Sequence, residues 1–572
     1  MEAGKKSIND IFNGNRVLEI PFFQRAYVWG EEQWERLLED MEEVSLENSR
    51  PYFMGSVILK QQQTSTNRGA GDLRTIIDGQ QRLTTLNIFF KVLCLKVNTP
   101  QIFDGIFRLL ITKEIALKHN HNDIRAFEAI MDLASLDDIE GNSNILNAYK
   151  YFRANIDESK LNVQMIISRV LFVGIDLMPD EDEQQIFDTI NSLGVTLTTA
   201  ELLKNYFFSR EKKGKYEIYW QDVFEKDEET KAYWDKKVTT GRFKRTFIDL
   251  FFFSYLQIKL QDGSVAAGFV DKQHFSKVDK LFESYKHFIR DYFDNNSDQL
   301  LPEIKEYAGI FREKFNPEII NDELPAEPGI ERINAIIFAL ETTTLIPYVL
   351  YVERNVVDEK IKNDLYSFIE AYVMRRLITR ATTKNYNQLF TDRLILHQVL
   401  TKQQFLEYLS AQDDTVNYLP DDDQLQAAFH GLGLTNKQAA GALYMIESKI
   451  RNRQKHATRL LGISKYSLEH VMPKKWENHW DAPVGEQAVQ QRNRKLLTLG
   501  NLTIITQALN ASIRDENWET KKNGRGDKGG LKRYADGIET FSKYLDLPSW
   551  NESEIEHRAE ELYDKALEVW RI

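Results

Sequence analysis

Cysteine is nearly absent from the chain: one residue in 572, Cys94, is a cysteine, which excludes an intramolecular disulfide and any cysteine-based zinc site. Its neighbours Val92, Leu93 and Leu95 mark it as a core residue with no chemistry of its own. Long apolar runs are missing as well. The longest such window, Ile333 to Val352, carries Asn334, Glu341 and Pro347, which suit a buried helix pair and argue against a membrane span. The start, Met1-Glu2-Ala3-Gly4-Lys5-Lys6-Ser7, lacks the apolar stretch of a secretory signal, so a cytoplasmic protein is expected. Positive charge is in deficit, 74 Lys and Arg against 86 Asp and Glu, and a net charge of -12 weighs at first against nucleic acid.

What is present points the other way locally. Between Lys449 and Arg533 there are 18 Lys or Arg and 8 Asp or Glu, so a segment of net +10 sits on an otherwise acidic body. Such asymmetry is a pointer to nucleic-acid contact at that end, although a solvated basic face explains it too. With 42% hydrophobic and 12% aromatic residues the chain can build large cores, and its length calls for three to four domains.

Hydrophobic periodicity sets out the organisation. Ser7 can cap a short helix, Val17 to Ile20 reads as a strand ended by Pro21, and Trp34, Leu37, Leu38 and Met41 mark an amphipathic helix. Strands are expected at 56–59, 73–77 and 170–177, and helices follow from Leu83 to Leu93, from Glu183 to Asn191 and from Glu201 to Phe208. Helical spacing dominates from about 209 to 430, and Thr435 caps a long helix toward Arg453. The expected fold is a mostly helical α+β multidomain protein. Residues 1–210 form a mixed α/β module, 211–430 a helical scaffold and 431–572 a C-terminal module, with a linker near 410–434.

Asp78-Gly79-Gln80-Gln81-Arg82 follows a strand and opens a helix, a place where backbone N–H groups and a nearby arginine can hold a phosphate. Asp78 could then hold Mg²⁺ or a ribose hydroxyl, and Gln80 or Gln81 could orient water. The plain alternative is an Asp-Gly turn with a surface salt bridge. Around it lie Pro21-Phe22-Phe23-Gln24-Arg25-Ala26-Tyr27-Val28-Trp29, Tyr52-Phe53-Met54-Gly55-Ser56 and Ile186-Phe187-Asp188-Thr189-Ile190-Asn191-Ser192-Leu193-Gly194. With these islands the chain resembles the N-terminal module of the GmrSD family of modification-dependent (type IV) restriction endonucleases. The resemblance implies a ParB- or sulfiredoxin-like fold that binds and hydrolyses GTP or ATP. It implies a nucleotide pocket lined by Gln24, Arg25, Asp78, Gly79, Gln80, Gln81, Arg82 and Asn191. Arg376, in Tyr372-Val373-Met374-Arg375-Arg376, and the later Thr383-Lys384-Asn385-Tyr386-Asn387 also look family-like, and a place on a helix surface explains both arginines at least as well.

Around Glu469-His470-Val471-Met472-Pro473, residues Ser467-Leu468-Glu469-His470-Val471 read as a short strand ended by Pro473, Leu499-Gly500-Asn501-Leu502 reads as a turn into another, and Asn510 lies near the start of the next helix. This run resembles the C-terminal nuclease module of the same family, of HNH type, with a ββα-metal (His-Me finger) fold. The resemblance implies that His470 is the general base, that Asn501 orients the histidine or braces its loop, and that Glu469 and Asn510 approach Mg²⁺ or Mn²⁺. Lys521 and Lys522 could hold DNA phosphates. The bland readings are a buried turn amide for Asn501, a helix cap for Asn510 and solvated charge for the lysines. The wide spacing from His470 to Asn501 implies an inserted segment from about Trp476 to Lys495, in which His479 takes a surface role.

Together these features imply a nucleotide-regulated, metal-dependent endonuclease of antiphage defence. Its expected partners are double-stranded, modified phage DNA and a nucleoside triphosphate, and it admits a homodimer. Two alternatives differ in class: a ParB-like DNA-binding adaptor that never cuts, and a nonspecific nuclease toxin that causes abortive infection.

Overall fold

The computed structural model describes residues 2–22, 24, 26–47, 49–62, 72–120, 123–178, 198–208, 212–241, 243–263, 265, 275, 280–411, 416–451, 459–534 and 538–572. They divide into two compact units, Met1–Trp220 and Gln221–Ile572. The architecture is mixed α+β and mostly helical, as the periodicity requires. Among the described residues no helix is long and apolar enough to cross a membrane.

The first unit rests on a six-stranded sheet of β1 (Glu2–Ser7), β2 (Arg16–Glu19), β3 (Tyr52–Gln61), β4 (Asp72–Asp78), β5 (Leu117–Lys118) and β6 (Val170–Leu177). The strands lie in the order β1-β6-β3-β4-β2-β5. β1 runs antiparallel to β6, and β3 antiparallel to β4. The pairs β3 with β6, β2 with β4 and β2 with β5 are parallel. The expected strands are all found, and β6 keeps the anticipated bounds.

β1 escaped the sequence reading. As a terminal strand it needs only backbone pairing on one side, so its polar residues leave no alternating signal. Its Lys6 instead starts a chain of ion pairs across the sheet: Lys6 to Asp176 at 3.7 Å, Asp176 to Arg74 at 3.3 Å, Arg74 to Asp72 at 2.7 Å and Asp72 to Arg16 at 3.1 Å.

The helix Gln80–Lys96 lies at the centre of this unit's core. Leu83, Leu86, Phe89, Phe90 and Leu93 form the expected stripe, but Ile88, Val92 and Cys94 are buried too. Thr84, Thr85, Asn87 and Lys91 of the same helix are buried as well, so it is enclosed on every side. Burial pushes the Cys94 thiol up to about 11, in keeping with its reading as an inert core group. The family-like segment Ile186 to Gly194 and the expected helix Glu183 to Asn191 lie outside the described residues.

The second unit packs helices around aromatic clusters such as Phe224, Trp234, Phe251 and Phe311. Arg332 and Glu370, both buried, pair at 2.7 Å, and Trp570 Nε1 donates to the same carboxylate at 3.1 Å. Arg375 and Arg376 are both buried, which removes the helix-surface reading of them. Arg375 donates to the carbonyls of Trp570 and Pro420 at 2.9 and 3.2 Å. Arg376 donates to the Tyr418 and Val416 carbonyls at 2.6 and 2.9 Å, and its guanidinium lies over the rings of Tyr372, Tyr386 and Tyr418. Guanidinium groups tolerate such burial because planar donors can be spent on carbonyls while the faces stack on aromatics. The helix Asp422–Gly431 packs on the helix Glu552–Val569, and Thr435 caps the helix Asn436–Ile450 as expected.

Gly79 joins β4 to the central helix with φ of +103°, and a Cβ there would come 3.0 Å from a Val57 methyl. Both the left-handed backbone and the close approach demand glycine. Gly79→Ala should therefore lower the stability of the chain by about 1–2 kcal/mol, read as an earlier midpoint in urea unfolding followed by tryptophan fluorescence.

Candidate functional site

Two sites emerge, one in each unit. In the first, β4 delivers Asp78 to the mouth of the central helix. Asp78 Oδ2 accepts from Ser56 Oγ at 2.7 Å and from Arg82 Nη2 at 2.8 Å, and the same Nη2 donates to the Ser56 carbonyl at 2.6 Å. Gly55, at φ +108°, keeps this corner open for Arg82, whose Nη1 would lie 3.3 Å from a Cβ there. The strand-to-helix turn is thus tied to β3 by side chains.

Gln24 donates Nε2 to the Ile76 carbonyl at 2.8 Å, while its Oε1 is buried without a partner among the described residues, as is Arg82 Nε. Gly79, at the N-cap, makes no side-chain cap hydrogen bond to the first turn of the helix. The orphaned Arg82 donor beside a helix N-terminus fits an anion such as a phosphate, and the orphaned Gln24 acceptor fits a hydroxyl or N–H of the same ligand.

Gln81 does not fit the water-orienting role considered for it. It is buried, accepting from Val28 N at 2.9 Å and donating to the Ala26 carbonyl at 3.3 Å, so both ends of its amide hold the loop 26–28. Tyr27 secures the same loop: its hydroxyl is 2.6 Å from Thr85 Oγ1, and its N–H donates to Asp123 at 2.7 Å. Arg25 and Asn191, expected in the pocket, lie outside the described residues.

In the second unit β7 (Lys237–Thr240) pairs antiparallel with β8 (Phe243–Thr246), and β9 (Tyr466–His470) and β10 (Leu502–Thr506) form an antiparallel pair in which His470 stands opposite Leu502 and Glu469 opposite Thr503. The helix Gln507–Ile513 follows at once, capped by Thr506, and packs on both strands. Two strands and a crossing helix are thus assembled around His470, Glu469 and Asn510. The inserted segment holds a helix, Glu486–Lys495, and His479 is exposed on it as expected.

Asn501 is wholly buried and fully engaged. Its Oδ1 accepts from Met472 N at 2.9 Å and from Trp550 Nε1 at 3.1 Å, and its Nδ2 donates to the Met472 and Leu496 carbonyls at 2.9 and 3.1 Å. Its own carbonyl accepts from Val471 N at 2.9 Å. Asn501 therefore braces the chain just beyond His470. Gly500 precedes it because a Cβ there would meet the Ile555 carbonyl at 2.2 Å. Arg558, fully buried, donates to the carbonyls of Leu499, Gly500 and Leu502 at 3.1, 2.8 and 2.7 Å. Neither Arg558 nor Trp550 carries a motif signal, since their partners are backbone or amide groups far away in sequence.

Side chains alternate along a strand, so Ser467 and Glu469 share one face of β9 and His470 turns to the other. Asn510 reaches the first face: its Nδ2 donates to Ser467 Oγ at 3.1 Å and to the Leu468 carbonyl at 2.9 Å. Beside it opens a cavity of about 560 Å³, lined among others by Phe338, Lys437, Tyr466 and Ser467. The His470 ring makes no hydrogen bond among the described residues. Burial, with Lys474 and Lys521 nearby, pushes its pKa down to about 4, so the imidazole is neutral near pH 7.

The two lysines expected at DNA phosphates are buried. Lys521 pairs with the Glu469 carboxylate and donates to the His470 carbonyl at 2.7 Å. Lys522 pairs with Glu519 at 3.0 Å, donates to the Leu547 carbonyl at 3.2 Å and lies over the Trp518 ring. As placed, their charges are spent within the protein. Burial also raises the Glu469 pKa, against the pull of Lys521.

A Mg²⁺ ion keeps several waters and needs only one or two protein oxygens. Glu469 has a carboxylate oxygen beyond the one paired with Lys521, and Asn510 an Oδ1 that makes no hydrogen bond among the described residues. This donor set fits an open, partly hydrated ion. It is no closed cage: among the described residues no three His, Cys, Asp or Glu side chains group as metal ligands.

Because Asn501 is buried with two N–H donors on its Oδ1, Asn501→Ala leaves Met472 N and Trp550 Nε1 unpaired. The substitution should cost about 3 kcal/mol or more, measured by urea unfolding, whereas His470→Ala should stay within about 1 kcal/mol of the parent chain.

Comparison with known proteins places these sites in a family. Residues 8–208 match the N-terminal domain of the GmrSD restriction endonuclease, and residues 419–565 match the C-terminal domain of GmrSD restriction endonucleases. A search among curated proteins gives no match. The matched stretches cover more than half of the chain and include both clusters, Asp78 to Arg82 and Glu469 to Asn510, so the chain belongs to the GmrSD family of type IV restriction endonucleases.

Proposed function

We propose that this restriction endonuclease cuts modified double-stranded DNA by metal-assisted hydrolysis at His470, under the control of a nucleoside triphosphate bound at Asp78 to Arg82. The observation that carries the reading is the His470 imidazole at the end of β9: neutral, without a hydrogen bond among the described residues, and held by a strand whose neighbours are braced. A neutral imidazole has a ring nitrogen whose lone pair can take a proton from attacking water. Asn501 keeps the residues after His470 in place, and Glu469 and Asn510 would hold Mg²⁺ or Mn²⁺. When bound, such an ion offsets negative charge developing on the phosphate.

In the N-terminal module, the helix start and Arg82 would receive phosphate oxygens, and Gln24 Oε1 would accept from a hydroxyl or N–H of the nucleotide. Asp78 holds Arg82 in position by their 2.8 Å ion pair. A ligand gates the nuclease only if it binds two conformations unequally, and a free endonuclease activity would threaten the host's own DNA. Modified phage DNA is the proposed target, since the family is one of modification-dependent enzymes.

Cleavage and hydrolysis should separate by mutation. His470→Ala should reduce cleavage of modified phage DNA by about 10²–10⁴-fold and leave GTP or ATP hydrolysis intact. Asp78→Ala and Arg82→Ala should impair hydrolysis, measured as phosphate release. EDTA should abolish cutting and added Mg²⁺ or Mn²⁺ restore it. Binding of DNA without cleavage under every metal condition would replace this reading with a DNA-binding adaptor. Equal cutting of plain and modified DNA would replace it with a nonspecific toxin.

A further inference from the structure

A lysine is almost never fully buried unless its charge is paired. The Lys521 side chain is 1% exposed and that of Glu469 7%. The ammonium donates to the Glu469 carboxylate and, at 2.7 Å, to the carbonyl of His470. It therefore grips two consecutive residues of β9, one by its side chain and the next by its backbone. The helix Trp518–Asn523 that carries Lys521 is itself anchored. Trp518 Nε1 donates to the Leu547 carbonyl at 3.0 Å, Lys522 Nζ donates to the same oxygen at 3.2 Å, and a Cβ on Gly530 would lie 2.6 Å from the Lys521 carbonyl. The ammonium is held in place from behind.

We propose that Lys521 is a positioning residue of the nuclease site and a built-in counter-cation, which sets how strongly Glu469 can take a divalent ion. The proposal rests on the nuclease reading above. A carboxylate already matched by an ammonium offers a divalent ion less net charge, and two cations on one carboxylate repel each other. Without Lys521 the buried Glu469 would be an uncompensated anion, a costly state that any available cation relieves. At the same time the His470 peptide would lose its donor. Removing the lysine should thus tighten the ion and slow the chemistry, two effects that a merely structural role would not produce together.

The test uses the full chain with Mn²⁺ alone, without DNA, and reads free Mn²⁺ by its electron paramagnetic resonance signal. K521M should bind Mn²⁺ about tenfold more tightly than the parent, equivalent to about 1.4 kcal/mol. K521R, which keeps the charge, should retain parental affinity, and E469Q should lose binding. In parallel cleavage assays K521M should lose kcat with KM for DNA unchanged. Mn²⁺ affinity that K521M leaves unchanged or weakens overturns the proposal, as does unimpaired cleavage by K521M. Should K521M fail to fold, K521Q, polar and uncharged, carries the same expectations. If the parent chain binds Mn²⁺ but cuts no DNA, the nuclease reading fails and the Mn²⁺ comparison alone decides the role of Lys521.

Discussion

Buried amides and charges must find partners, and the hairpin that presents His470 is organised by that requirement. Asn501 spends both ends of its side chain on the backbone of Met472, the Leu496 carbonyl and the Trp550 indole. Arg558 spends its guanidinium on the carbonyls around Gly500. Lys521 matches Glu469 and reaches the His470 carbonyl. These contacts leave little freedom at the strand end, so the imidazole is positioned by a frame that it does not touch.

The N-terminal module solves the same problem with opposite polarity. Side chains tie the turn at Asp78 and Gly79 to β3, and Gln81 and Tyr27 pin the preceding loop, yet Arg82 Nε and Gln24 Oε1 stay orphaned inside. Arg558 Nη2 and Thr503 Oγ1 are orphaned in the nuclease frame too, but the fully engaged Asn501 amide at the His470 strand end and the orphaned atoms of the first site suit their proposed roles. One must stay rigid, and the other must gain partners when its ligand arrives.

Much of this was legible in the sequence where a local rule governed. Thr198 and Thr435 cap helices as their positions imply, β6 has its expected bounds, and the order strand, turn, strand, helix from Tyr466 to Ile513 follows from periodicity and turn residues. What was not legible depends on partners distant along the chain. A helix surface explains Arg375 and Arg376 in the sequence at least as well as a family role, because nothing nearby announces the carbonyls and tyrosine rings that bury them. Lys521 and Lys522 read as contacts to DNA phosphates, because nothing nearby announces the partners that take up their charge. Side-chain alternation foretold that Glu469 and His470 face apart, but not that an ammonium would meet the carboxylate.

The Trp550 and Arg558 contacts also order events in time. Both residues lie downstream of the strands they secure, in or just before the helix Glu552–Val569, so a ribosome delivers them only after His470 and Asn501 have emerged. Until then the Asn501 amide lacks its indole donor, and the carbonyls around Gly500 lack their guanidinium. The strand end at His470 is therefore braced last, by the part of the chain that is made after it.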